Sequence, residues 1–288
     1  MKPFGIILLF VLFIGCNKQK QKAPDAFFIK PESITVAVTS ASLQGTTNHK
    51  ITDLWYYVNS QFKGAYPMGN MFPIPSTGPT QIIIKAGIKN NGISATRQPY
   101  EFYDAVTIDT SVMPGIIANR NFVFHYKTAA NFRWLEDFEG FGTTSGISIK
   151  KSSNSDTMFN ILNSSVPPYP SVYEGTKCFY FAVDDIKQIA RFESTSDTYP
   201  LPKQGQPVYL EMNYKCTQAF DVGVFNGSTY QYVATVNTSQ DWNKIYIQLS
   251  TGVSTLPTTT CGLFFSAFRD PTASTSQVWI DNIKIISY

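Results

Sequence analysis

The sequence predicts an all-β protein built as two β-sandwiches behind a cleaved leader, and three observations predict it. No long stretch keeps the spacing of an amphipathic helix; short alternating segments bounded by turn residues dominate. Hydrophobic residues make up 43% of the chain and aromatic ones 15%, but charged residues only 15%, where about a quarter is usual. The length of 288 residues is ample for more than one core. The same figures exclude other classes. A net charge of +3 is too small and scattered to suggest a nucleic-acid partner. Aromatic and β-branched residues run through most of the chain, which argues against disorder.

The leader comes first. Met1-Lys2-Pro3 precedes an apolar run from Phe4 to Ile14, which Gly15-Cys16 and the polar Asn17-Lys18-Gln19-Lys20 bring to a stop. A basic start, a short apolar run and a small residue before a break read as a signal peptide over 1–15. A membrane-spanning helix needs about 20 apolar residues, so this run is too short. Phe13-Ile14-Gly15-Cys16 resembles the lipobox of bacterial lipoproteins. That resemblance implies diacylglycerol on the Cys16 sulfur, cleavage before it, and palmitate-type acylation of the new amino terminus. Several acyl chains would make detachment negligible. Residues 16–27 then form a lipidated, hydrophilic tether. In Bacteroidetes-type lipoproteins an acidic cluster after the cysteine resembles a surface-export signal. Here the cluster is basic, which implies the periplasm-facing side of the outer membrane.

The first folded unit is expected over 28–132. Its clearest strands are Ile34–Val38, Leu54–Val58, Gln81–Lys85 and Asn121–His125, with Pro73, Pro75, Gly78 and Pro79 marking a loop. Leu54 to Pro67, followed by Gly78 to Gly87, resembles PEGA-type surface-layer repeats, which are small Ig-like β-sandwich modules. The resemblance implies a hairpin with Asn59-Ser60 at its turn, a turn at Gly64-Ala65-Tyr66-Pro67, and a strand led by Gly78.

The second unit is expected over 133–288. Val208, Leu210, Met212, Tyr214 and Cys216 alternate with polar residues, as do Ile245, Ile247 and Leu249, and again Cys261, Leu263, Phe265 and Ala267. Each set therefore shares one buried face, with Lys244, Tyr246 and Gln248 on a wet one. The Phe138-Glu139 opening and the closing Trp279-Ile280-Asp281-Asn282-Ile283 resemble jelly-roll modules of the carbohydrate-binding, galactose-binding-like type. The resemblance implies that the first and last strands are neighbours. It also implies that Asp281, with Glu139, helps hold a structural calcium ion, although Asp281-Asn282 equally suits loop capping. No other cofactor is expected.

Candidate chemistry is thin. Asp137 and Glu139 share a strand face at about 6–7 Å, but no third acid follows, so the pair reads as structural or metal-binding rather than catalytic. His49 lies in a turn and His125 in a strand, neither at metal-ligand spacing. There is no nucleophile elbow and no phosphate loop, so no catalytic residue is assigned. With Cys16 given to lipid, Cys178, Cys216 and Cys261 lie in apolar strands, and one disulfide among them stays open. Asp156-Thr157-Met158 resembles the acceptor pattern of Bacteroidetes periplasmic O-glycosylation, in surroundings that suggest a reachable Thr157.

Aromatic residues carry the binding signal. Tyr230 and Tyr232 share a strand face, Trp242 follows a turn, and Tyr169, Tyr173 and Tyr199 lie in Pro-rich loops. Sugar rings stack their C–H faces on such side chains while polar neighbours bond the hydroxyls. The expectation is a non-catalytic, membrane-anchored lipoprotein binding a glycan or an envelope component. The alternatives are a structural or assembly lipoprotein docking onto an outer-membrane protein complex and, last, a glycoside hydrolase.

Overall fold

The computed structural model describes residues 26–140, 146–168 and 170–288. The leader, Cys16 and Tyr169 therefore lie outside the described residues.

The first half of the chain runs through β1 (Phe27–Ala37), β2 (Asp53–Val58), β3 (Gln61–Pro67), β4 (Phe72–Ile74), β5 (Gly78–Lys89), β6 (Arg97–Pro99), β7 (Val106–Val112) and β8 (Ile117–His125). One sheet has the order β4-β1-β8, with β1 and β8 parallel. The other runs β3-β2-β5, and β5 pairs with both β6 and β7. Asn59 and Ser60 both take positive φ, 48° and 66°, at the tight turn that joins β2 to β3. This is the conformation a two-residue hairpin loop demands. Two local expectations fail. Gly64–Pro67 is no turn but part of β3; and of the expected loop markers Pro73 sits within β4, a short edge strand where a missing N–H costs nothing, while Gly78 and Pro79 open β5.

The second half follows with β9 (Asn131–Glu136), β10 (Ile149–Lys151), β11 (Phe159–Asn163), β12 (Lys177–Asp184), β13 (Ile189–Ser194), β14 (Tyr199–Pro200), β15 (Val208–Cys216), β16 (Phe220–Asn226), β17 (Thr229–Val236), β18 (Ser239–Gln248), β19 (Thr260–Phe268) and β20 (Thr275–Ser287). The sheet β10-β13-β19-β16-β17, with β14 on β19, is called the platform sheet below. Opposite it, the seam sheet has the order β11-β12-β20-β15-β18 and carries β9 on β20. The first and last strands of this sandwich are thus neighbours, with Ile283 opposite Glu136. Phe179, Phe181, Phe192, Leu210, Met212, Phe265 and Ile280 fill the space between the two sheets.

The expected wet face of β15 and β18 is not wet. Tyr209, Glu211, Lys244 and Tyr246 are all buried, because the N-terminal sandwich docks on them. Tyr100 packs its ring 5.3 Å from Tyr209 and 4.9 Å from Tyr246, and Phe102 lies 4.8 Å from Tyr288. In the middle of this seam Glu211 is 0% exposed. Its carboxylate accepts from Tyr100 Oη at 2.8 Å and Tyr126 Oη at 3.0 Å, and it pairs with Lys244 Nζ at 2.8 Å. Lys284 Nζ donates to Thr46 O at 2.6 Å and to Tyr126 Oη at 3.1 Å. Burial pushes the Glu211 carboxyl up, but Lys244 and Lys284 outweigh it and hold the group below its ordinary value. Burial pushes Lys284 down to about 8, against the pull of Glu211. A second polar layer thus glues what alternation alone would leave to solvent.

Candidate functional site

The outer face of the platform sheet is fixed by strand alternation. Ala190 and Phe192 point into the core, so Arg191 and Glu193 point out. Val222 and Val224 point in, so Gly223 points out, and Tyr232 lies opposite Gly223 across the β16–β17 ladder. The register then sets Lys150, Glu193, Phe264, Gly223 and Tyr232 side by side across five strands. Arg191, Ser266 and Asp221 form the adjoining row.

Two of the expected ligand-binding residues, Tyr230 and Tyr232, stand together on this face. Tyr232 is 42% exposed. Its ring meets Phe264 edge-on at 5.1 Å, and Tyr230 meets the same Phe264 at 5.4 Å. The Arg191 guanidinium lies 4.9 Å from the Tyr230 ring centroid and 5.9 Å from that of Tyr232. It also donates through Nη2 to Tyr232 Oη at 2.5 Å. Arg191 Nε and Ser266 Oγ are buried with no hydrogen-bond partner among the described residues. Tyr230 Oη donates to Glu193 Oε1 at 2.7 Å, and Lys150 Nζ stands 3.9 Å from Glu193 Oε2. Burial and the hydrogen bond to Glu193 hold the Tyr230 phenol above its ordinary value, so it remains a donor at neutral pH. Asp221 accepts from Thr235 Oγ1 at 2.6 Å.

The result is an exposed aromatic ring on a packed aromatic base, bordered by cations and carboxylates of balanced charge. Such a face offers a platform for the C–H side of a neutral ring and fixed donors and acceptors for hydroxyls. Gly223 keeps it flat, since a Cβ there would strike the Gln231 carbonyl oxygen and the Phe264 ring. Arg191 and Glu193 were missed in the sequence. Their signal was the polar alternation through Ile189–Ser194, but only the cross-strand register links it to Tyr230 and Tyr232.

The other expected residues do not join them. Trp242 is in β18, on the seam sheet, where Tyr173 meets its ring at 5.7 Å. Tyr199 stacks on Trp134 at 5.8 Å within the sandwich. Thr157 is 1% exposed and donates to Asp156 Oδ1 at 3.0 Å, which corrects the expectation of a reachable acceptor. Cys178, Cys216 and Cys261 are free and buried.

Asp281 and Glu139 lie at an acid-rich corner beside the seam. Glu136, Asp137, Glu139, Glu174 and Lys284 line a cavity of about 340 Å³ there. The Asp281 carboxylate accepts from Glu174 N at 3.2 Å and Asn282 N at 2.8 Å. Burial nevertheless pushes its pKa up to about 7. Glu139 accepts from Thr176 N, Thr176 Oγ1 and Lys177 N, each at 2.7 Å. Burial opposes its ionisation, but the bonds from Thr176 and Lys177 hold it below the ordinary value. Hydrogen bonding accounts for both acids, and among the described residues no group of three or more metal-ligating side chains converges. Asp137 and Glu139 do not share a strand face, since β9 ends at Glu136; instead Asp137 accepts from Glu139 N at 3.1 Å, a local turn bond.

No family model matches the chain, and no curated protein matches it. Several solved structures are similar to it. The K3 cleaved adhesin domain of Lys-gingipain from Porphyromonas gingivalis shares 16% identity, with 56% of this chain and 100% of that one covered, at a TM-score of 0.38. A family 29 carbohydrate binding module shares 10% identity over 56% of this chain and 92% of its own, at 0.33. TmCBM61, in complex with β-1,4-galactotriose, shares 14% over 53% and 99%, also at 0.33. These scores carry no weight for function. The sandwich architecture rests on the strand pairings themselves.

Proposed function

We propose that this chain is a non-catalytic glycan-binding lipoprotein. In this reading acyl chains on Cys16 hold it to the outer membrane, facing the periplasm, and the platform sheet does the binding. The observation that carries the proposal is the half-exposed Tyr232 ring, set beside Tyr230, Arg191 and Glu193 on one face. A sugar ring would lie on Tyr232, and its hydroxyls would meet Arg191, Glu193 and Lys150. No bond is made or broken. The buried seam would let the N-terminal sandwich act as a stiff spacer between tether and binding face.

A glycan array probed with the lipid-free chain, residues 17–288, tests the binding claim. Hits that Tyr232→Ala weakens or abolishes support it, and a blank array overturns it. A second reading, docking onto an envelope protein, draws on Met113, Ile116, Ile117 and Val123. These apolar side chains are exposed on β8 and the turn leading into it. Retention of a defined outer-membrane partner by the wild-type chain, lost in Ile117→Asp, would favour that reading.

A further inference from the structure

The seam sheet is only partly covered by the N-terminal sandwich. Beyond Glu211 and Lys284, its outer face carries a second row of aromatic side chains that the sequence never grouped. Lys215 is opposite Trp279, Trp279 is opposite Tyr180, and Tyr180 is opposite Asn160, so these four lie abreast on β15, β20, β12 and β11. Trp242 extends the row on the far side of Lys215, where the β15–β18 register shifts between Tyr214 and Cys216. At about 4.8 Å per strand, the stretch from Asn160 to Lys215 spans about 14 Å.

The rings are close and only half-covered. Trp279 and Tyr180 have centroids 5.2 Å apart, and Lys215 Nζ stands 5.1 Å from the Trp279 ring centroid. Gln277 Nε2 donates to Tyr180 Oη at 2.9 Å. Two buried polar atoms beside the row have no partner among the described residues: Trp242 Nε1, and Oδ1 of Asn213, a residue 1% exposed. Aromatic faces, amides and orphaned polar atoms in one line suit a ligand with apolar ring faces and many hydroxyls. An apolar protein partner fits less well. The large exposed apolar side chains of this sandwich, Met158, Val166, Ile186, Ile189 and Phe268, are not members of the row, and Trp242, Trp279 and Tyr180 are each only partly exposed.

We infer that this row is a second glycan-binding face, taking a neutral polysaccharide chain laid across the strands. Because it lies on the sheet opposite the platform, one polypeptide would hold two chains at once and cross-link them.

The test is native gel retardation in galactan, glucomannan and xyloglucan, with turbidity of the same mixtures as a second readout. The wild-type chain is expected to be retarded by at least one of them and to make it turbid. Trp279→Ala with Tyr180→Ala should weaken retardation at least threefold and abolish turbidity, leaving binding at Tyr232 in place. Tyr232→Ala should also abolish turbidity while the row still binds. If the double variant does not fold, Tyr180→Ala alone serves, with a smaller loss of retardation.

Retardation lost in Tyr232→Ala and untouched in the row variants overturns this inference and leaves the platform reading intact. The reverse pattern keeps the row and removes the platform. No retardation in any of the three polysaccharides overturns the row.

Discussion

Glu211 is the point at which the seam is most exposed to a single change. The substitution Glu211→Gln keeps the shape and the acceptor that Tyr100 and Tyr126 use, but it removes the negative charge facing two buried lysines. Lys244 is 5% exposed and Lys284 1%. Breaking a buried pair by removing one partner costs about 3–5 kcal/mol. Lys284 already sits at about 8, so shedding its proton at neutral pH offers partial relief, which places the expected loss near the lower end, about 3 kcal/mol. The loss should shrink in alkaline solution, as Lys284 gives up a proton that no longer has a partner charge. Urea unfolding followed by tryptophan fluorescence, at about pH 7 and about pH 9, reads both effects. Pairing Glu211→Met with Lys244→Met should recover only part of the stability, because Lys284 stays buried without its partner charge. A loss under about 1 kcal/mol at neutral pH, or one no smaller at alkaline pH, refutes the reasoning.

Asp281 gives a pH signature of its own. Its folded-state value of about 7 lies above the ordinary carboxyl value, so across roughly pH 4–7 the native chain holds a proton that the unfolded chain has lost. Stability therefore falls as pH rises through that window, and Asp281→Asn should flatten the slope in thermal melts. If a calcium ion also binds there, millimolar calcium raises the wild-type midpoint at neutral pH and leaves Asp281→Asn unmoved. Gly223→Ala should cost about 1–3 kcal/mol by overpacking against Phe264 and the Gln231 carbonyl, with glycan binding at the platform lost in the same variant. Burial pushes the Cys178 and Cys261 thiols up to about 12 and Cys216 up to about 11. In the lipid-free chain a thiol reagent should find none of them until urea is added. For Cys16, radiolabelled palmitate should enter the full-length protein and not Cys16→Ala.

The alternation in Val208–Cys216 was enough to place Leu210, Met212 and Cys216 in the core, because one side of a strand faces the opposing sheet whatever else the chain does. It could not foresee that Tyr209 and Glu211 are buried as well. That depends on a second sandwich docking from elsewhere in the chain, a contact with no local period. The Asn59-Ser60 turn was legible only through the resemblance of residues 54–67 to a known hairpin module, since serine by itself is no signal for a positive φ. Gly64–Pro67 was misread, since glycine and proline also serve in a β-strand on a sheet edge.

The site divides in the same way. Tyr230 and Tyr232 were legible through their spacing of two. Trp242, close in sequence, belongs to the opposite sheet, because the chain crosses the sandwich between β17 and β18. Arg191 and Glu193 precede Tyr232 by about forty residues, and only ladder register brings them to it.

The most direct measurement is a calorimetric titration of the lipid-free chain with the strongest array glycan that Tyr180→Ala still binds, run in that Tyr180→Ala chain with and without Tyr232→Ala or Arg191→Lys. Binding at the platform predicts that each variant keeps the melting midpoint of the Tyr180→Ala chain and loses at least about tenfold in affinity, or about 1.4 kcal/mol. Unchanged affinity in both variants would contradict a glycan site on that face.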